Sequence, residues 1–511
     1  MHYADWIVLA IYIAAIVGIG VWANRRQTDT EAYFVGNRNL PWWAAGVSII
    51  ATSFSAASIL GVPGFAYTTD MWYLQYSIGD VLAAVLVAVL FIPFFHRVRG
   101  LTTAYEYLEA RFDLKTRLLG SSLFSLTVLL RAGTLLFGAA LLFSAVVPTD
   151  IIPGLTGVEE AVVIFGIVAI AYTVLGGISA VIWTDVIQFA VMSLGIIASM
   201  ALVVMGTPGG WGAAFAEAGQ LDKLTVFHLE EPMARNGLLT AIFGYGLLAL
   251  SIFGTNQQPV QRYMTVKNPR EAQRALLLGV SAGVIGVSLS LLLGVFLFIF
   301  YNHYPALLPP DLSADQIMPH FVNTQVPPVL TGALVAAVFA AAMSSLDSAL
   351  NSLSAALTVD FLTRFKRDVT EAQRLAFAKI VVVTAGVLGI GIGIYSSRSE
   401  AALIDLILAF MGYFAGGLLG LFLLGMLTRR ATGNGAFTGA IVGTLVVLMV
   451  TQNDFPLPRL YEWLGFEPIP FIWSTGVGLV VTLVVGYLIS LFGHPVAPER
   501  LENTTVKWTV A

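Results

Sequence analysis

An all-α polytopic membrane protein is predicted by three observations on this chain of 511 residues. Hydrophobic residues make up 57% and charged residues only 11%, the mean hydropathy is +0.83, and apolar runs of about 20 residues recur from end to end. A soluble domain carries roughly 25% charged residues. The 26 Lys and Arg against 30 Asp and Glu leave a formal charge of -4, and no basic block points to nucleic acid. There is no cysteine, which excludes disulfides, thiolate metal sites and cysteine nucleophiles.

Thirteen runs are long enough to cross a hydrocarbon layer as helices: roughly 5–23, 42–66, 73–95, 118–146, 158–176, 180–206, 237–256, 275–302, 327–358, 375–395, 403–427, 433–451 and 470–492. The first lacks a basic leading segment and is followed by Arg25 and Arg26, so it reads as an uncleaved span with the amino terminus outside. Basic residues test that topology. Inside segments then hold 20 of the 26 Lys and Arg, among them Arg97, Arg99, Arg111, Lys115, Arg117, Arg364, Lys366, Arg367, Arg429 and Arg430. Outside segments hold Lys223, Arg235, Arg398 and Arg459, and Arg131 and Lys379 fall within spans. This asymmetry predicts a plasma (inner) membrane protein with a cytoplasmic carboxyl terminus.

The second and seventh runs look broken. One contains "TSFSAASILGVPGFAY" with Gly61, Pro63 and Gly64; the other contains "GYGLLALSIFGTNQQPVQ" with Gly254 and Pro259. They open spans two to six and seven to eleven, the register of an inverted five-helix repeat. Interrupted helices at matching places in two halves point to a midplane binding site, and ordinary Gly/Pro kinking is the alternative. The expected organisation is a first span and loop (1–41), a first repeat (42–206), an external loop (207–236), a second repeat (237–427) and two extra spans with a short tail (428–511).

The ninth run carries "FAAAMSSLDSALNSLS". Ala341, Ser344, Ser345, Ser348, Asn351 and Ser352 recur at three- and four-residue steps, so they share one helix face. Neutral hydroxyls, together with carbonyls freed by the broken second run, suit a small hard cation that takes about five oxygens. Close helix packing with local hydrogen bonds is the alternative use of such small residues. Asp347 adds a carboxylate that costs roughly 2.5–3.5 kcal/mol to place in a span. Its candidate companion is Asp185 in "VLGGISAVIWTDVIQFAVM"; the two would repel unless a cation or a proton intervened.

Other classes fit less well. The six histidines (His2, His96, His228, His303, His320 and His494) lie in loops or at span ends without ligand spacing, so no metal or catalytic constellation forms. A sensor fused to a signalling domain is not expected, since only about nineteen residues follow the thirteenth run. A passive channel has no need of interrupted helices around a midplane site.

Six segments carry a resemblance along essentially the whole length: "EAYFVGNRNLPWW", "SFSAASILGVP", "YTVLGGISAVIWTDVIQ", "TNQQPVQRYM", "AAAMSSLDSALNS" and "GLFLLGMLTRRATGNGA". In this order and topology the sequence resembles the sodium/solute symporter family, relatives of the sodium/glucose cotransporters. The resemblance implies a leucine-transporter-type core of two inverted five-helix repeats, and sodium held by the carbonyls of Ala51, Phe54 and Ala341 with the hydroxyls of Ser344 and Ser345. It also implies a possible second sodium at Asp185, Ser345, Asp347 and Ser348.

The sugar branch of that family resembles "SAEQF" in the broken helix, whereas this chain has "SAASI", with Ser55, Ala57 and Ser58. That branch's acid aligns with Ser77 and its amide with Ala249, so the branch carrying monocarboxylates, vitamins and iodide is the nearer likeness. An anionic solute is therefore expected. Arg131 could hold a carboxylate bidentately, or be spent on an ion pair with Asp80. Ser55, Ser58, Ser77, Asp80, Arg131 and Phe253 are the candidate solute contacts, and Phe54, Trp72, Tyr76 and Phe410 are candidate cavity aromatics. The expected partners are a small-molecule solute, sodium ions and the lipid bilayer.

Overall fold

The structure is a computed structural model that describes residues 2–24, 29–98, 100–147, 151–174, 177–366, 368–399, 401–451, 459–494 and 496–506. Arg25, Arg26, Arg99 and Arg367, counted above among the inside charges, lie outside the described residues. The apolar runs fold as helices in the expected order: α1 Tyr3–Asn24, α2 Trp42–Ser53, α3 Ala56–Thr68, α4 Trp72–Arg97, α5 Leu114–Val146, α6 Gly157–Thr173, α7 Ile178–Gly206, α8 Thr240–Thr255, α9 Gln257–Met264, α10 Pro269–His303, α11 Leu330–Phe365, α12 Glu371–Ser397, α13 Leu403–Leu427, α14 Gly433–Val450 and α15 Phe471–Leu491. Among the described residues no strand forms, and the one β-bridge joins His228 to Gly237. Among the described residues nine helices are long and apolar enough to cross a membrane, ten when the bent pair α2 and α3 counts as one span. The remaining three of the thirteen predicted runs hold shorter apolar stretches, in α1 and α8, and the 17-residue α6.

Both predicted breaks exist, but glycine and proline do not sit at them. The α2/α3 pair bends by 72° at Phe54, whose φ of -83° and ψ of 99° leave helical space, and Ser55 restarts the chain in a reciprocal capping box with Ser58. Gly61 opens the second segment of α3, with Pro63 as its third residue. The other break falls at Asn256, between α8 and α9, and Pro259 is the third residue of α9. In both places proline occupies a first turn, where its missing N–H has no helical partner to lose. Gly64 serves close approach instead: a Cβ there would collide with the Ala314 carbonyl, and one on Gly294 of α10 would collide with the Pro63 carbonyl.

α11 is buried along nearly its whole length and packs against α1, α5, α7 and α12. Its amino terminus is capped from a distance: Asp5 Oδ1 accepts from the backbone N–H of Val329 (2.6 Å) and Gly332 (3.0 Å). A buried acid there satisfies orphan donors and opposes the positive helix end. At the other end Arg117 donates to Asp360 (2.7 Å) and Glu109 (2.6 Å), and Ser121 and Thr103 also donate to Asp360.

The last helices meet through small residues. Gly435, Gly439 and Gly443 of α14 lie on Gly478, Thr482 and Gly486 of α15; a Cβ on Gly439 would stand 2.6 Å from the Thr482 carbonyl. Gly416 and Gly420 of α13 approach the same face of α15. Such spacing lets backbones touch where lipid offers no hydrophobic drive for association. Gly439→Ala is expected to cost about 1–3 kcal/mol as an overpacked contact, read as a lowered melting temperature in detergent; an unchanged melt refutes the close approach.

Candidate functional site

The break between α2 and α3 frees the last carbonyls of α2 from helical partners, and the polar face of α11 lies against them. Ser344 Oγ donates to the Ala51 carbonyl (2.9 Å) and reaches its own-helix Ala341 carbonyl (3.1 Å). Ser345 Oγ donates to the Thr52 carbonyl (3.0 Å). Ala51, Ala341, Ser344 and Ser345 are all fully buried, and Phe54 contributes the bend that exposes this set. Every atom offered is a neutral oxygen, the donor chemistry of a hard monovalent cation. Among the described residues no group of three or more His, Cys, Asp or Glu stands ready for a metal.

Two of the residues expected for a second cation, Asp185 and Ser348, gather around an arginine. Asp185 Oδ2 accepts from Ser48 (2.5 Å) and from Arg262 Nη2 (3.1 Å). Arg262 also donates to Ser48 (2.6 Å), Ser348 (2.5 Å) and the Gln258 carbonyl (2.7 Å). Ser348 in turn meets the Thr52 hydroxyl at 2.8 Å. Arg262 and Asp185 are both 0% exposed, and the guanidinium balances the carboxylate that the sequence left facing Asp347. Asp347 accepts from Thr173 of α6 (2.7 Å). It lies two residues beyond Ser345, and thus on a different face of α11.

Beside these oxygens, a cavity of about 160 Å³ is lined by Ser55, Ser58, Ser77, Asp80, Arg131 and Phe253. Phe54 and Tyr76 line it too, while Trp72 and Phe410 do not. Arg131 does not pair with Asp80: it donates to the Thr52 carbonyl (3.0 Å) and to Gln258 Oε1 (3.3 Å). The Thr52 carbonyl therefore accepts from both Ser345 and Arg131.

Sequence reasoning missed Thr52, Ser48, Gln258 and Arg262. Ser48 and Thr52 share a helix face at a four-residue step, a stripe that was there to be read. Arg262 was counted as a loop charge because "NQQPVQR" is polar; the structure buries all of α9 instead. Within it Gln257 accepts from the Ala104 N–H (2.8 Å) and Gln261 donates to the Phe34 carbonyl (2.7 Å).

Two broken helices around a set of neutral oxygens, with a cavity against them, define an ion-coupled secondary transporter. The sodium:solute symporter family matches residues 33–443, and the chain belongs to it. The sodium/sialic acid symporter NanT of Aliivibrio fischeri is 32% identical over 492 residues, 95% of this chain and 92% of that protein. A sodium-dependent multivitamin transporter of Oryctolagus cuniculus is 30% identical over 513 residues, 98% of this chain and 75% of that protein. A solved Na+-coupled sialic acid symporter, in a substrate-bound outward-open state, superimposes with a TM-score of 0.84 at 30% identity over 97% of this chain and 99% of that one. Mhp1, a nucleobase-cation-symport-1 family transporter, shares the fold with a TM-score of 0.58 at 16% identity over 92% of this chain and 97% of that one. The protein is a sodium-coupled membrane symporter of the leucine-transporter fold type, moving a small organic solute; it is not an enzyme.

Proposed function

We propose that this chain imports a carboxylate-bearing organic solute together with sodium by alternating access, with the solute's carboxylate on Arg131. Sodium is held by the carbonyls of Ala51, Phe54 and Ala341 and the hydroxyls of Ser344 and Ser345. Ser55, Ser58, Ser77 and Phe253 shape the solute cavity. The observation that carries this reading is the Thr52 carbonyl, which Ser345 and Arg131 share. One unwound peptide thus touches both the cation's helix and the solute's anchor, so ordering either side favours the conformation that binds the other. The relatives that carry sialic acid move an organic anion, which agrees with an arginine that has no carboxylate partner among the described residues.

In this reading residues 42–206 and 237–427 are the inverted repeats, flanked by 1–41, 207–236 and 428–511. The amino terminus faces outside and the carboxyl terminus the cytoplasm, as the charge asymmetry favours. A second sodium at Asp185, Ser345, Asp347 and Ser348 requires Arg262 to release Ser348. Inward sodium flow supplies about 2.3 kcal/mol per charge for each 100 mV.

The test is uptake into proteoliposomes of radiolabelled N-acetylneuraminate, lactate and pantothenate, under sodium and under potassium gradients, with Arg131→Ala beside the wild type. A sodium-driven carboxylate that loses about 10- to 100-fold in apparent affinity in the variant, the scale of a charge-assisted hydrogen-bond pair, supports the proposal. Uptake indifferent to sodium, or to Arg131, overturns it.

A further inference from the structure

The cavity that holds Arg131 holds a carboxylate as well, and that acid has no cation of its own. Asp80 lies on α4 one turn after Ser77, and both line the cavity. Among the described residues no Lys, Arg or His nitrogen comes within 4.0 Å of it. Its neighbour is the Tyr245 hydroxyl, a neutral donor. Tyr73 and Tyr245 line the cavity beside it, Tyr76 stacks on Tyr245 with ring centroids 4.8 Å apart, and Tyr73 lies 5.1 Å from Tyr76. The cavity therefore presents an anion-seeking Arg131 and a donor-seeking Asp80, with Tyr73, Tyr76 and Tyr245 in the same lining.

An acidic side chain inside a helical bundle faces the interior and takes a partner, and a lone tyrosine hydroxyl leaves most of its acceptor capacity unused. A solute with a plain alkyl tail would press methylenes against that carboxylate, and a halide would leave it unmatched, each at the cost of a desolvated polar group. We infer that the transported solute is bifunctional: its carboxylate meets Arg131 and its far end presents N–H or O–H donors to Asp80, as a polyhydroxylated acid or an amino acid zwitterion does. This rests on the reading of Arg131 as the carboxylate anchor. Tyrosine faces beside Asp80 suit either source of donors, since they stack on a hydroxylated carbon skeleton and attract an ammonium.

The test is competition against sodium-driven uptake in proteoliposomes by four probes: N-acetylneuraminate, proline, butyrate and iodide. N-acetylneuraminate or proline is expected to compete at least about tenfold better than butyrate or iodide, the scale of one charge-assisted hydrogen bond, and whichever of the two prevails tells hydroxyl from ammonium. Asp80→Asn is expected to bring the four within about threefold of one another, while the thermal shift on adding sodium stays as in the wild type. Butyrate or iodide matching the better donor-bearing probe in the wild type overturns the inference, and this arm needs no variant to fold. An unchanged ranking in folded Asp80→Asn overturns it as well. Failure of the anchor gives a different signature: Arg131→Ala would then leave every carboxylate's affinity unchanged while Asp80→Asn still reshuffled the ranking.

Discussion

Ser345→Ala is expected to abolish sodium-dependent uptake and to leave the fold intact. The side chain is 0% exposed and among the described residues its hydroxyl donates to the Thr52 carbonyl alone, which Arg131 would continue to satisfy in the variant. Structural loss is therefore confined to about 1 kcal/mol for a single hydrogen bond. The proposed sodium set would fall from five oxygens to four, with a methyl group facing the ion. Sodium at 100 times its dissociation constant stabilises the wild type by about 2.7 kcal/mol, and this increment should vanish from thermal melts of the variant, for lithium as for sodium. Ser344→Ala should behave the same, since its hydroxyl spans Ala51 and Ala341. Normal sodium activation of transport in Ser345→Ala would place the ion elsewhere.

Arg262→Ala is expected to destabilise the protein by about 3–5 kcal/mol, because it strands a fully buried Asp185 without its counter-charge. The loss extends to Ser48 and Ser348, each of which accepts from the same guanidinium. The second substitution Asp185→Asn in that background removes the stranded charge and should recover a large part of the loss. Melting curves for the two single variants and the double variant form the cycle that isolates the pair. A single variant as stable as the wild type would show that the network around α2, α7, α9 and α11 contributes nothing.

Much of this architecture is legible in the sequence, for one physical reason. A bilayer requires long apolar helices, so run lengths mark them, and the same cost makes each polar residue in a run conspicuous. Hence the α11 stripe, Arg131 and Asp185 stand out, and the structure sets Ser344 and Ser345 against the α2 carbonyls. The exact breaks were less legible. Gly61, Pro63 and Gly64 mark the neighbourhood, but the bend belongs to Phe54 and Ser55, where a serine cap restarts the helix. Arg262 was hidden because a polar segment such as α9 reads as loop until its tertiary partners are known. The Thr52 carbonyl could not be read at all, since a backbone acceptor shared by two distant side chains leaves no trace in residue identity.

The glycine-to-backbone contact of α14 with α15, extended by Gly416 and Gly420 of α13, has a mechanical meaning. Where two main chains touch over three successive turns, neither helix can tilt or slide without steric collision, so α14 and α15, which lie beyond both proposed repeats, form one stiff post. A carrier whose repeats rock needs such a fixed reference. With no native cysteine to compete, spectroscopic labels attached to this post would offer a stationary origin for measuring how far α2 and α11 travel.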